Sequence, residues 1–104
     1  MSSPTQRSKA HLEKLGYRVA IVEHWNSFAR IRVDLFGIID LLCLKGSETL
    51  AVQTTSASNM SSRVRKITES PAISDLRAAG WGIMVHGWRK GANGRWTLRE
   101  VDVS

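Results

Sequence analysis

The chain has one cysteine, Cys43, and it lies inside an apolar run. An intramolecular disulfide and a cysteine-cluster zinc site are therefore excluded, and the thiol reads as core filler. Proline is almost absent: Pro4 and Pro71 are the only two, and each follows a serine. No apolar stretch is long enough to cross a bilayer, and none at the start has the shape of a signal peptide, which makes the cytoplasm the default compartment. The three histidines, His11, His24 and His86, are scattered without zinc spacing. Acids are also scarce. Nine Asp and Glu stand against 15 Lys and Arg, a formal net charge of +6.

A balance of that sign favours a polyanionic partner. Nucleic acid is the first expectation and an anionic membrane surface the second; a basic surface kept for solubility is the plain alternative. The 104 residues, 42% of them hydrophobic and 23% charged, suit a single domain over residues 1–104 rather than a disordered segment.

Each Ser-Pro pair reads as a helix start. Ser3 can cap, Pro4 suits the first helical position and Gln6 completes a capping box. The helix should run to about Leu15, burying Leu12 and Leu15, with Gly16 in the left-handed position behind it. Tyr17–Glu23 alternates as a strand does, and His24–Arg32 reads as a loop or irregular edge. Phe36–Leu44 is almost wholly apolar and predicts a central strand covered on both faces. Lys45–Glu48 is turn chemistry, so Thr49–Thr55 should return antiparallel. A helix is expected over Met60–Thr68, restarted at Ser70-Pro71 and continuing over Pro71–Ala79, then strands over Trp81–Trp88 and Arg95–Val103. The order is α-β-β-β-α-β-β, an α/β fold with a mixed central sheet flanked by helices.

Asp40 is the informative residue, because an ionised carboxylate unpaired inside the most apolar segment would cost several kcal/mol. A cation, a basic side chain or a raised pKa must compensate it. Hard divalent ions such as Mg²⁺ or Mn²⁺ prefer carboxylate oxygen; a salt bridge to Arg or Lys is the alternative. Residues two apart on a strand share a face. If the hairpin register aligns them, Asp40, Gln53 and Thr55 converge on one spot, with Thr54 turned away. Ordinary hydrogen bonding near a strand end would explain Gln53 and Thr55 equally well.

The element order, with Phe36-Gly37-Ile38-Ile39-Asp40-Leu41 on one strand and Ala51-Val52-Gln53-Thr54-Thr55 on the next, resembles the PD-(D/E)XK nuclease superfamily. The likeness is to its small phage-type and Holliday junction resolvase-like members, which would place the protein in a host cytoplasm. The resemblance implies a restriction-endonuclease-like core and a Mg²⁺- or Mn²⁺-dependent DNA endonuclease. Asp40 matches the metal-binding aspartate, Gln53 the acidic position of the D/E-x-K motif and Thr55 its lysine. The last two depart from the pattern. Lys66 on the following helix could replace the lysine, sharing a face with Arg63; a solvated basic face is the plainer alternative for both. Glu13 matches the first-helix acid of resolvase-like members, and reads equally as a solvent-facing residue. Glu23 and Asp34 could reach the same strand ends.

The implied assignment makes Asp40, Gln53, Thr55 and Lys66 catalytic, and Asp40, Gln53 and Glu13 metal ligands. Arg63, Lys66, Arg89 and Lys90 would contact DNA. Trp88 and Trp96 lie beside basic residues and could stack on unpaired bases, whereas Trp81 reads as core. Cutting both strands would call for a homodimer. Two other readings stay open: a non-catalytic DNA-binding module on the same fold, and an interaction subunit of a larger assembly.

Overall fold

The computed structural model describes residues 3–104. Helix α1 (Pro4–Lys14) begins as its sequence dictates: Ser3 Oγ accepts the Gln6 amide at 3.2 Å, and Pro4 occupies the first turn. Gly16 closes the helix with φ +97°. One expectation fails at this end. Leu12 is buried, but Leu15, the capping residue, is 50% exposed.

Strands β1 (Arg18–Ile21), β4 (Leu41–Lys45), β5 (Glu48–Ser56), β6 (Gly82–Lys90) and β7 (Trp96–Asp102) form one sheet in the order β1-β4-β5-β6-β7. All pairings are antiparallel except β5 with β6, which are parallel. The crossover between that parallel pair carries a short 3₁₀ turn (Ala57–Asn59), α2 (Met60–Thr68) and α3 (Ile73–Ala78). Ser70 Oγ accepts the Ala72 amide at 3.2 Å, so α3 starts two residues after Pro71 rather than on it. Strands β2 (His24–Asn26) and β3 (Ile31–Val33) form a separate two-stranded ribbon in the segment expected as a loop or irregular edge.

The expected central strand Phe36–Leu44 is only half a strand. Phe36 (φ +54°) and Gly37 (φ +75°) both take the left-handed region, and Phe36 is 57% exposed. They form a tight turn closed by the Leu35–Ile39 bridge. The chain becomes β4 only at Leu41, and β5 occupies the middle of the sheet. Gly37 is the residue that permits the turn, since a Cβ resists positive φ.

Period-two alternation divides the core into two layers. Leu41, Cys43, Leu50 and Val52 pack with Leu12 of α1 on one side. Ala51, Ile83 and Val85 pack with Met60, Ile67, Ile73 and Leu76 on the other. Polar bonds also fasten α1 to β6: the fully buried Ser8 hydroxyl accepts from Trp88 Nε1 at 2.8 Å and lies 2.9 Å from His86 Nδ1. Burial, then the nearby His11, pushes the His86 pKa down to about 4. Among the described residues no helix is long and apolar enough to cross a membrane.

The crossover passes so close over β6 that a glycine is required there. A Cβ on Gly87 would collide with the Met60 side chain and come within 3.1 Å of Ala57 Cα. Gly87→Ala is expected to lower stability by about 1–3 kcal/mol, measured by urea denaturation. An unchanged midpoint would mean that the crossover can lift off the sheet freely.

Candidate functional site: an acid cluster on the floor of a basic-walled cleft

Asp40 is the last residue before β4, and its carbonyl and amide still bond to Val22 N and Val52 O at 2.9 Å each. Beyond Val52, β5 runs on without a β4 partner. The Thr54 amide, which points to that vacant side, is accepted at 2.8 Å by Asp40 Oδ2. The same oxygen accepts the Thr54 hydroxyl at 3.1 Å and the amide of Gln53. Asp40 is 3% exposed.

Two more acids converge here. Glu23 directly precedes the β2–β3 ribbon and Asp34 directly follows it, so the ribbon's antiparallel pairing brings them side by side. The Phe36-Gly37 turn then places Asp34 beside Asp40. One carboxylate oxygen from each of Glu23, Asp34 and Asp40 falls within 4.8 Å of the others. Glu23 accepts from Thr5 at 3.3 Å and Arg32 at 3.5 Å, and Asp34 from Gln53 at 3.4 Å and Lys66 Nζ at 3.4 Å. Thr5 also touches Thr54 at 2.9 Å, tying the start of α1 to the cluster.

The acids form the floor of an open cleft of about 510 Å³, whose walls carry Arg32, Arg63 and Lys66. Burial is the main force on Asp40, and Asp34 and Glu23 add to it while the Thr54 amide opposes. The net effect pushes its pKa up to about 7. This oxygen-only set of three carboxylates could hold a metal ion. Gln53 Oε1 is buried without a hydrogen-bond partner. Rotating its amide by half a turn would aim that oxygen at the carboxylates, where a bound cation or a protonated carboxyl would favour it.

Several sequence expectations meet at this cleft and others do not. Asp40 and Gln53 are adjacent as the strand register required, and Lys66 reaches the cluster through Asp34. Thr55 lines the cleft, but Thr54, expected to face away, is the threonine that bonds Asp40. Glu13 lies elsewhere: it pairs with Lys9 at 3.0 Å and borders a different hollow, near Tyr17 and Lys45. Glu23 and Asp34 occupy the place beside Asp40 proposed for it. Arg89 borders a second hollow, shared through Ser56 with the cleft. Lys90 stands 6.0 Å from the Trp96 ring, whose face the Arg7 guanidinium covers at 3.5 Å. Trp88 spends its N–H on Ser8. One face of Trp96 is thus taken by Arg7, while the residue remains 42% exposed.

Arg32, Thr5 and Thr54 were missed. Arg32 was legible in principle, lying two residues before Asp34 and hence on the same strand face; Thr5 carries no sequence signal at all. Comparison with family models, with curated proteins and with solved structures returned no match.

The raised pKa of Asp40 has a consequence for stability. Its unfolded value is near 3.8 and its folded value about 7, so the folded state binds the proton more tightly between them. Without a cation, this group makes folding less favourable as pH rises through that window. Asp40→Asn should therefore raise the melting temperature at pH 8, by something on the order of the 4–8 °C that 1 kcal/mol represents in a domain of this size. The gain should shrink toward pH 5. A variant less stable than wild type at pH 8 would show that the carboxylate's hydrogen bonds outweigh its desolvation.

Proposed function

We propose that the protein is a divalent-metal-dependent DNA endonuclease whose centre is the Glu23–Asp34–Asp40 cluster. The observation that carries this reading is the pairing of opposites in one cleft: three carboxylates on the floor, and Arg32, Arg63 and Lys66 on the walls. Acids alone would repel a phosphodiester. Acids that hold a cation, ringed by basic side chains, would attract one.

Mg²⁺ or Mn²⁺ suits the donor set, because hard cations take carboxylate and amide oxygen. When bound, such an ion supplies polarisation of the phosphate and a lowered pKa for water. Asp40, Asp34 and Glu23 would hold it, with Gln53 Oε1 a further donor after amide rotation. Lys66, 3.4 Å from Asp34, would stabilise negative charge developing on the phosphate, the task that the resemblance gives to the lysine replaced here by Thr55. Arg63, one helical turn away, would bind a neighbouring phosphate.

A second reading is favoured by one observation. Oδ2 of Asp40 already accepts from the Thr54 amide, the Thr54 hydroxyl and Gln53, so the cluster can stand without a metal. That would suit a DNA-binding module without catalysis.

Nicking of supercoiled DNA in Mg²⁺ or Mn²⁺ separates the two. Wild type is expected to nick, Asp40→Ala to be inactive, and Lys66→Ala to fall about 100- to 1000-fold, as loss of one charge-stabilising group does. Measurable binding with no cleavage of any substrate would establish the module instead.

Binding itself has a distinct signature. Affinity for DNA should fall steeply with salt, as counterion release requires. Arg63→Ala and Lys66→Ala should each reduce the slope of log K against log salt by about one. Affinity indifferent to salt would remove nucleic acid as the partner.

A further inference from the structure

The β2–β3 ribbon lies at the rim of the cleft and carries apolar side chains that stand largely in solvent. Trp25 is 59% exposed and Phe28, at the tip, is fully exposed. The tip is ordered, with Asn26 Oδ1 accepting the amides of Phe28 and Ala29 at 3.0 and 3.1 Å. Between His24 and Val33 there is no acid, while Arg30 and Arg32 add positive charge.

The register decides which way Trp25 faces. Trp25 pairs directly with Arg32, so both side chains stand on one face of the ribbon. Glu23 lies two residues before Trp25, and Asp34 two residues after Arg32. By strand periodicity all four share that face. Arg32 verifies the direction, since its guanidinium reaches Glu23 at 3.5 Å and lines the cleft. Trp25 therefore sits roughly 7 Å along the ribbon from the acid cluster, two residues at about 3.4 Å each.

We propose that Trp25, with Arg32 opposite it, is a stacking platform for an unpaired base next to the phosphate held over the acid cluster, so that the substrate is single-stranded or flap-bearing DNA rather than continuous duplex. The proposal rests on the nucleic-acid reading above and adds the substrate class to it. An exposed indole can be covered face-on by a base only if that base has left its own stack. The flanking arginines suit the phosphates on either side of such a base. They also oppose the other occupant of an exposed aromatic ribbon, a second copy of this chain, which would bring like charge against like charge.

The test is fluorescence anisotropy at low salt in Ca²⁺, using the full chain and three labelled probes of one sequence: a single strand, a flap and a blunt duplex. Trp25→Ala should weaken binding of the single strand and the flap by roughly 5- to 150-fold and leave the duplex within about twofold. Trp25→Phe should restore most of the loss, because a phenyl ring still stacks. Arg63→Ala should weaken all three probes alike. Equal loss on all three probes for Trp25→Ala, no loss on any, or conversion of a dimer to a monomer in sedimentation would overturn the platform. Wild type that binds the probes while Trp25→Ala is silent defeats this inference alone. Wild type that binds none of them defeats the nucleic-acid reading as well.

Discussion

Three carboxylates held within 4.8 Å of one another repel, and the most buried of them is also deprived of water. Everything around the cleft offsets that cost. The Thr54 amide and hydroxyl and the Gln53 amide serve Asp40; Lys66 and Gln53 serve Asp34; Arg32 and Thr5 serve Glu23. The compensation is incomplete, as the raised pKa of Asp40 records. A cation would relieve at once the repulsion, the raised pKa and the unpartnered Gln53 oxygen.

Two consecutive reversals of the chain assemble this arrangement. The ribbon brings Glu23 to Asp34, and the Phe36-Gly37 turn brings Asp34 to Asp40. The turn costs a left-handed conformation at Phe36, a non-glycine residue with its ring in solvent. Such strain persists only where the surroundings over-determine it. Here the Leu35–Ile39 bridge and the burial of Ile38 and Ile39 do so. The same economy places the basic residues: β3 carries Arg32 to one wall of the cleft, and α2, beginning just beyond β5, carries Arg63 and Lys66 to the other.

Much of the framework was legible because it rests on local rules. Ser3, Pro4 and Gly16 delimit α1 by capping chemistry, alternation marks the strand that becomes β1, and turn chemistry at Lys45–Glu48 marks the β4–β5 hairpin. Phe36–Leu44 misled because an apolar run reports burial and not backbone conformation. Ile38 and Ile39 are indeed buried, but in a turn, and Gly37 was the overlooked sign. Pro71 misled more mildly, since Ser70 caps a preceding turn before the helix proper begins.

Within the site, sequence alone determined that Asp40 is anomalous and that Gln53 and Thr55 share one face of the neighbouring strand. Both follow from hydropathy and a period of two, which any chain with these residues must obey. Tertiary structure decided which acids join Asp40. Glu13, on α1, was as good a candidate as Glu23 by residue type. The choice fell to Glu23 and Asp34 because a ten-residue ribbon, His24–Val33, folds back on itself between them. It also decided that Thr54 rather than Thr55 bonds Asp40, because β4 begins too late to satisfy the Thr54 amide. Strand ends and ribbon pairing are set by contacts between segments distant in the chain, which a local pattern of residues does not encode.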